Sequence, residues 1–200
     1  MNTIEHLNQT IFLRMNAADG TSRWLIDFAI FLANDVIFLL APMLAALWIC
    51  GDWMRRSTAI KACLVTLLAM GVTQIIIQAW PHPRPFMIGL GHTWIPHAAD
   101  SSFPSDHVTV FACIGLTLWR DRAPRAGLAT LAAGLAVAWS RIFLGVHFPL
   151  DMLGSLALAS VCYMVIGPIW LRVGDTATTL IQNVYRTIFV RIFDLGWKHR

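Results

Sequence analysis

The chain reads as all-α: a polytopic membrane bundle of about five to six transmembrane helices with an amphipathic helix at each end, forming one domain over residues 1–200. Three observations predict this class. Hydrophobic residues make up 57% of the 200 residues and charged residues 13%, against roughly 45–50% and about 25% in a soluble domain. The excess is gathered into long apolar runs, as spans require, and not spread through one large core. Finally, the cations gather between or after those runs: Arg55, Arg56 and Lys61, then Arg120, Arg122 and Arg125, then Arg172, Arg186, Arg191, Lys198 and Arg200. These are eleven of the fifteen Lys and Arg residues, placed as the positive-inside rule expects of cytoplasmic segments. That placement accounts for the net charge of +4 without nucleic acid. The expected partner is the bilayer.

Taken in order, Ile4, Leu7, Ile11, Phe12 and Met15 recur at helical spacing, which predicts a short amphipathic helix on the membrane surface, ended by the run Asn16 to Gly20. Residues 1–20 contain Glu5, His6, Arg14 and Asp19 and lack a basic segment followed by a clean apolar core, so no cleavable signal peptide is expected. The first span covers Trp24 to Cys50. Asp27, Asn34 and Asp35 interrupt it, which predicts a tilt or a local break. These polar groups read as structural, near a span end or paired with Lys61, with an ion path as the alternative. The second span runs from Thr58 to Trp80. A polar, proline-rich segment from Pro81 to Ser105 follows.

The third span runs from Asp106 to Trp119. After a basic turn, the fourth covers Ala126 to Leu144, where Ala126, Thr130, Gly134 and Ala138 form a small-residue stripe that allows close helix approach. The fifth covers Pro149 to Leu171. From Ala177 the tail is amphipathic, with Ile181, Val184, Ile188 and Ile192 on one face and Arg186 and Arg191 off it, as on an anionic membrane surface. Most tryptophans mark span ends; Trp94 lies in the polar segment instead. Cys50, Cys63, Cys113 and Cys162 fall in or beside apolar runs and read as small hydrophobes.

Three short segments carry the chemistry: Arg84-Pro85, then Pro104-Ser105-Asp106-His107, then Ser140-Arg141 with His147 and Asp151. With the basic groups inside, counting crossings sets all three on the side away from the cytoplasm. Arg84 and Arg141 offer planar, permanently charged forks that match phosphate oxygens. Ser105 opens a helix, so its hydroxyl and the following N–H groups form an anion cradle. Asp106 is repelled by a bound phosphate and is expected to turn away, orienting an arginine or capping the helix. Pro149 sets His147 in the approach to the fifth span and Asp151 in its first turn. The carboxylate then reaches back to one imidazole nitrogen and turns the other toward a substrate as nucleophile. His107 is free to protonate a departing oxygen.

This pattern, Arg-Pro, then Pro-Ser-x-His, then Ser-Arg-x5-His-x3-Asp, resembles the type 2 phosphatidic-acid phosphatase superfamily of membrane lipid phosphatases. The run from Ile95 to His107, with Asp106 where glycine is common, is similar to the bacterial undecaprenyl-diphosphatase branch of the bacitracin-resistance type. The resemblance implies a phosphohistidine on His147, orientation of that ring by Asp151, general-acid catalysis by His107, phosphate binding by Arg84, Ser105 and Arg141, and no metal or other cofactor. It implies a polyprenyl diphosphate substrate in a bacterial inner membrane. Where the family's first motif begins with lysine, this chain has Ile77, and Gln78 or His82 is the candidate accessory contact.

Bland readings accompany the neighbouring residues. His82, His92 and His97 match no common zinc spacing and read as solvated loop histidines. Asp100, Ser101 and Ser102 read as loop polarity and helix-start chemistry, with a secondary role in substrate binding as the alternative. Other lipid phosphates, transfer to an acceptor lipid, and a headgroup-binding carrier without turnover stand as alternatives to diphosphate hydrolysis.

Overall fold

The computed structural model describes residues 3–197, with side chains described through residue 188. Seven helices follow one another: α1 (Thr3–Met15), α2 (Arg23–Asn34), α3 (Leu40–Cys50), α4 (Trp53–Ala79), α5 (Asp106–Arg120), α6 (Pro124–Phe143) and α7 (Pro149–Trp197), with 3-10 turns at Val36–Leu39 and Pro85–Ile88. Asp52 starts α4 by accepting the Arg55 N–H on its side chain at 2.9 Å, which satisfies one of the helix's orphan donors. Prolines 81, 83 and 85 keep α4 from continuing. Pro124 and Pro149 open α6 and α7, where a missing N–H costs nothing.

The bundle is built around α5, which packs against α4, α6 and α7. Its contact with α6 is close because of glycine: a Cβ on Gly127 would collide with the Trp119 backbone nitrogen, and one on Gly134 would lie 2.8 Å from the Phe111 Cβ. The small-residue stripe therefore does what its spacing predicts, with Thr130, Gly134 and Ala138 all buried. Thr130 also turns its hydroxyl toward Met43 of α3.

Among the described residues, α4, α6 and the part of α7 over Pro149–Ile188 are long and apolar enough to cross a membrane, and α2 with Val36–Cys50 makes a fourth candidate bent by 43°. The interruption at Asn34 and Asp35 is thus a break. The third predicted span, α5, has 15 residues and reaches about 22 Å, short of the ~30 Å hydrocarbon core. It is the enclosed helix, with nine of its residues buried, so its neighbours present the lipid-facing surface.

Three expectations are corrected. Lys61 does not pair with the acids of the first span. Its ammonium lies 2.9 Å from Asp121 Oδ2 and 4.4 Å from the Tyr163 ring centre, and the Tyr163 hydroxyl donates to Asp121 Oδ1 at 2.8 Å. Asp27 instead pairs with Arg23 at 3.1 Å on an exposed face. Helix α1 is docked, not merely laid on a surface. Phe12 and Asn8 are buried while Ile4 and Leu7 stay exposed, because Phe12 packs edge-on against Phe148 and Asn8 Oδ1 accepts the Leu150 N–H. The tail is continuous with the fifth span: α7 runs unbroken through Pro168 to Trp197, since residues 172–176 hold no proline to stop it. Ile181, Val184 and Ile188 are exposed along it. The side chains of Arg191 and Ile192, and all of residues 198–200, lie outside the described residues.

Candidate active site

The C-terminal ends of α4 and α6 and the N-terminal ends of α5 and α7 meet at one end of the bundle, and the three segments converge there. His147 sits in the turn between α6 and α7. That turn folds back through Gly145, which takes φ +84°, and a Cβ there would come within 2.0 Å of the His92 carbonyl oxygen. Asn16 and Ala17, just beyond α1, brace the same turn. Asn16 donates to the carbonyls of Phe143 and His92 at 3.0 and 2.9 Å and accepts the His92 N–H at 2.7 Å, while the Ala17 N–H donates to Phe143 O. Trp94 fastens the other side by donating its indole N–H to Ala17 O at 2.9 Å.

His147 is buried and its two ring nitrogens have different surroundings. Nδ1 lies 2.9 Å from the Ser102 carbonyl oxygen and 3.2 Å from Asp151 Oδ2. Both are acceptors, so the proton belongs on Nδ1 and Nε2 carries the lone pair. Nε2 lies 3.1 Å from Arg84 Nη1, a nitrogen that only donates, so the lone pair accepts from the guanidinium and an arriving phosphoryl group must take its place. Burial pushes the His147 imidazolium below the ordinary histidine range, opposed by the hydrogen bond and charge of Asp151; the ring is held neutral, as a nucleophile requires. Asp151 Oδ2 is fixed in turn by the Phe148 N–H at 2.8 Å and by a short hydrogen bond from the Ser102 hydroxyl.

Arg84 is buried and anchored on several sides. Its Nε donates to Asp100 Oδ1 at 2.8 Å, Nη1 to the Val146 carbonyl at 2.9 Å and Nη2 to the Ser101 carbonyl at 3.1 Å. The guanidinium is therefore preorganised against the nucleophilic nitrogen, with little rotamer freedom to lose on binding an anion. Arg141 donates from Nη2 to Ala33 O at 3.0 Å. That carbonyl is freed where α2 breaks, so the break in the first span helps to position the second arginine. The Arg141 Nε and the Ser105 Oγ are buried without a hydrogen-bond partner among the described residues. Leaving such groups unpaired is costly and matches a site that waits for an oxyanion. Ser105 itself is clamped by Ser155, whose hydroxyl accepts its N–H and donates to its carbonyl, both at 3.0 Å. The first bond within α5 is Thr109 N–H to Ser105 O, which leaves the N–H groups of Asp106, His107 and Val108 for an anion. His107 is half-buried, within electrostatic reach of Arg141 and His147.

The predicted catalytic and phosphate-binding residues are thus brought to one place; of the accessory candidates only Asp106 comes within electrostatic reach of Arg84 and Arg141. Gln78 is exposed and makes no hydrogen bond to the site. His82 turns its ring toward Trp80 and Phe148. Asp106 neither caps the helix nor binds an arginine: it is exposed, and the carboxylate that orients Arg84 is Asp100. The sequence assigns Ser102 and Asp100 loop polarity and helix-start chemistry, with substrate binding as the alternative; neither reading has them hold Asp151 or Arg84. The one signal was that both lie in the approach to Pro104-Ser105, since nothing in their spacing points to Asp151 or Arg84. His97 was read as a solvated loop histidine, yet its ring stands edge-to-face with His147 at 6.2 Å between centres.

Known proteins resemble this chain over most of its length. The chain is 34% identical over 194 residues to the putative undecaprenyl-diphosphatase YbjG of Escherichia coli K12, covering 97% of this chain and 98% of that protein. It is 32% identical over 181 residues to the undecaprenyl-diphosphatase BcrC of Bacillus subtilis 168, covering 90% and 91%. The crystal structure of LpxE from Aquifex aeolicus shares the fold, with a TM-score of 0.67 at 22% identity over 80% of this chain and 93% of that one. Residues 58–173, which contain every candidate catalytic and phosphate-binding residue, match the PAP2 superfamily, and with relatives of this identity over nearly the whole length, the chain belongs to that superfamily and is a membrane phosphatase.

Proposed function

We propose that the protein hydrolyses a polyprenyl diphosphate, undecaprenyl diphosphate foremost, to the monophosphate and inorganic phosphate through a phosphohistidine on His147. One observation carries this reading: a buried, neutral His147 has its Nδ1 side held by Asp151 and Ser102 and its Nε2 set 3.1 Å from an anchored arginine. The Nε2 lone pair forms a bond to the terminal phosphorus as the bridging P–O bond breaks. His107, which takes up a proton as the diphosphate brings its negative charge to the site, gives that proton to the departing lipid-phosphate oxygen. Water then attacks the phosphohistidine, surrenders a proton to His107, and the P–N bond breaks. Arg84, Arg141, the Ser105 hydroxyl and the N–H groups opening α5 hold the oxygens throughout, so positioning and charge neutralisation supply most of the acceleration.

The names borne by the relatives support the diphosphate class. An apolar cleft supports a lipid. About 340 Å³ lies between α5, α6 and α7, lined by Val108, Phe111, Ala138, Met152 and neighbouring residues. Helical spacing of three and four residues carries its walls upward to Ser105 and His107 on α5 and to Arg141 on α6, so a hydrocarbon chain lying in the cleft delivers its headgroup to the site. The basic turns support an orientation with this end of the bundle outside the cytoplasm, in a bacterial inner membrane.

The test is phosphate release by purified protein in detergent with excess chelator, offering undecaprenyl diphosphate and phosphatidic acid, with His147→Ala in parallel. Release that survives chelation, favours the diphosphate and vanishes in the variant is expected. Release unaffected by the variant overturns the phosphohistidine, and a preference for phosphatidic acid overturns the substrate.

A further inference from the structure

The loop between α4 and α5 brings one more titratable side chain to the site than attack on a phosphate monoester requires. His97 is half-buried, its ring centre 6.2 Å from that of His147 and nearly perpendicular to it, at 79°. Its Nδ1 lies 3.2 Å from the Ala98 carbonyl oxygen and 3.8 Å from Asp100 Oδ1. The same Asp100 oxygen accepts from Arg84 Nε at 2.8 Å. One carboxylate therefore ties His97 to the arginine beside the nucleophile, and the ring is held by one nitrogen only. With Nδ1 donating to Ala98 O, Nε2 is the nitrogen left for a ligand.

We propose that His97 binds the second, non-transferred phosphoryl group of a diphosphate headgroup, making this loop the subsite that separates diphosphates from monophosphates. The proposal rests on the diphosphate reading above. The anchored Arg84, Arg141, Ser105 and the α5 N-terminus already suffice for one phosphoryl unit on His147, and His97 stands one ring away, close enough to meet an adjoining unit. Its electrical surroundings suit an anion that comes and goes. Burial and the charges of Arg84 and Arg141 hold the empty ring below the ordinary histidine range, against the pull of Ala98 O and Asp100; the other groups that sense its charge are Asp106 and His107. An arriving phosphoryl group adds negative charge and reverses that balance, so His97 takes up a proton and donates from both nitrogens, Nδ1 to the loop and Nε2 to the ligand.

Calorimetric titration of the detergent-solubilised protein carrying His147→Ala, which has no nucleophile to turn the anion over, with inorganic pyrophosphate and with inorganic phosphate, in two buffers of different ionisation enthalpy, tests this by binding alone. With His97 in place this protein is expected to bind pyrophosphate more tightly than phosphate and to take up more protons with it. With His97→Ala added the pyrophosphate Kd rises about tenfold, the worth of one charge-assisted hydrogen bond, while the phosphate Kd stays within about twofold and the extra proton uptake disappears. His97→Gln, which keeps a polar contact to the loop but takes up no proton, loses the uptake as well. Equal losses for both anions, or an unchanged pyrophosphate affinity, overturn the subsite. The lipid assay of the preceding section separates the two ideas: a protein that hydrolyses only monophosphates yet loses pyrophosphate affinity in His97→Ala keeps the subsite and discards the substrate.

Discussion

Ser102 holds His147 through two of its own atoms. The backbone carbonyl lies 2.9 Å from His147 Nδ1, and the hydroxyl donates to Asp151 Oδ2, which is itself 3.2 Å from the same Nδ1. Asp151 thus receives hydrogen bonds from a serine, a backbone N–H and the imidazole in a buried setting. Ser102→Ala removes one of these donors and keeps the carbonyl. A drop of about tenfold in kcat with little change in KM is expected, equivalent to about 1.4 kcal/mol of lost orientation. Steady-state kinetics check it, and a change confined to KM would contradict the positioning role.

The sign of the pH dependence follows from the same triad. The nucleophile acts in its neutral form, and burial lowers its pKa while Asp151 raises it. The acid limb of kcat/KM therefore falls below the ordinary histidine range. Asp151→Asn removes the raising influence, so in the residual activity that limb moves to lower pH while kcat drops by orders of magnitude. A limb that moves upward would show that another group sets it.

How much of this was legible beforehand depends on the range of the interaction. The helices, the stripe on α6 and the break near Asp35 follow from periodicity and from polar residues inside apolar runs, which are local signals. Arg84, His107, Arg141, His147 and Asp151 were found because each sits beside a proline or at a helix end, within a short motif of fixed spacing. Ser102 and Asp100 were assigned to the loop because their partners are 49 and 16 residues away, and no periodicity links a serine before α5 to an acid in α7. The docking of α1 was missed for the same reason. Asn8 and Phe12 are four apart on a helix whose Ile4, Leu7, Ile11 and Leu13 are exposed, so the buried face is set by Phe148 and Leu150, not by the hydrophobic pattern.

Arg141 spends one nitrogen on Ala33 O and leaves Nε buried and unpaired, a division of labour that only a guanidinium permits. Arg141→Lys keeps the charge but has one ammonium for both tasks. We expect kcat/KM to fall by about ten- to a hundredfold, the range for losing a hydrogen bond to a charged group, with competitive inhibition by orthovanadate weakened in parallel. Unaltered inhibition would remove Arg141 from the phosphate site.

The cleft between α5, α6 and α7 makes chain length a variable. Leu153 lines it and is 62% exposed, so Leu153→Trp fills the cleft without disturbing a buried core. KM for the long-chain diphosphate is expected to rise severalfold, with turnover of a short-chain prenyl diphosphate unchanged. Leu171→Trp, on an 89% exposed position outside the cleft, should leave both substrates alone. If the two tryptophans act alike, the cleft does not hold the chain.

Asn16 lies outside the catalytic motifs yet acts on the nucleophile. Asn16 bridges Phe143 O, His92 O and the His92 N–H, and so joins the end of α1 to the turn that carries His147 and to the α4–α5 loop packed against it. Asn16→Ala leaves the His92 N–H and carbonyl to find other partners, at a cost of about 1–3 kcal/mol. Because the turn begins at Phe143 and His147 lies four residues later, that loss reaches the nucleophile as a loosened geometry, and loosely held reacting groups lose rate before they lose binding. The expected signature is a lower Tm in detergent together with a fall in kcat at nearly constant KM. Asn16→Asp keeps the acceptor for the His92 N–H but sets a carboxylate oxygen against the carbonyls of Phe143 and His92, so its kcat should be no higher than that of Asn16→Ala. A lower Tm with full kcat would mean that α1 stabilises the bundle without bracing the nucleophile's turn.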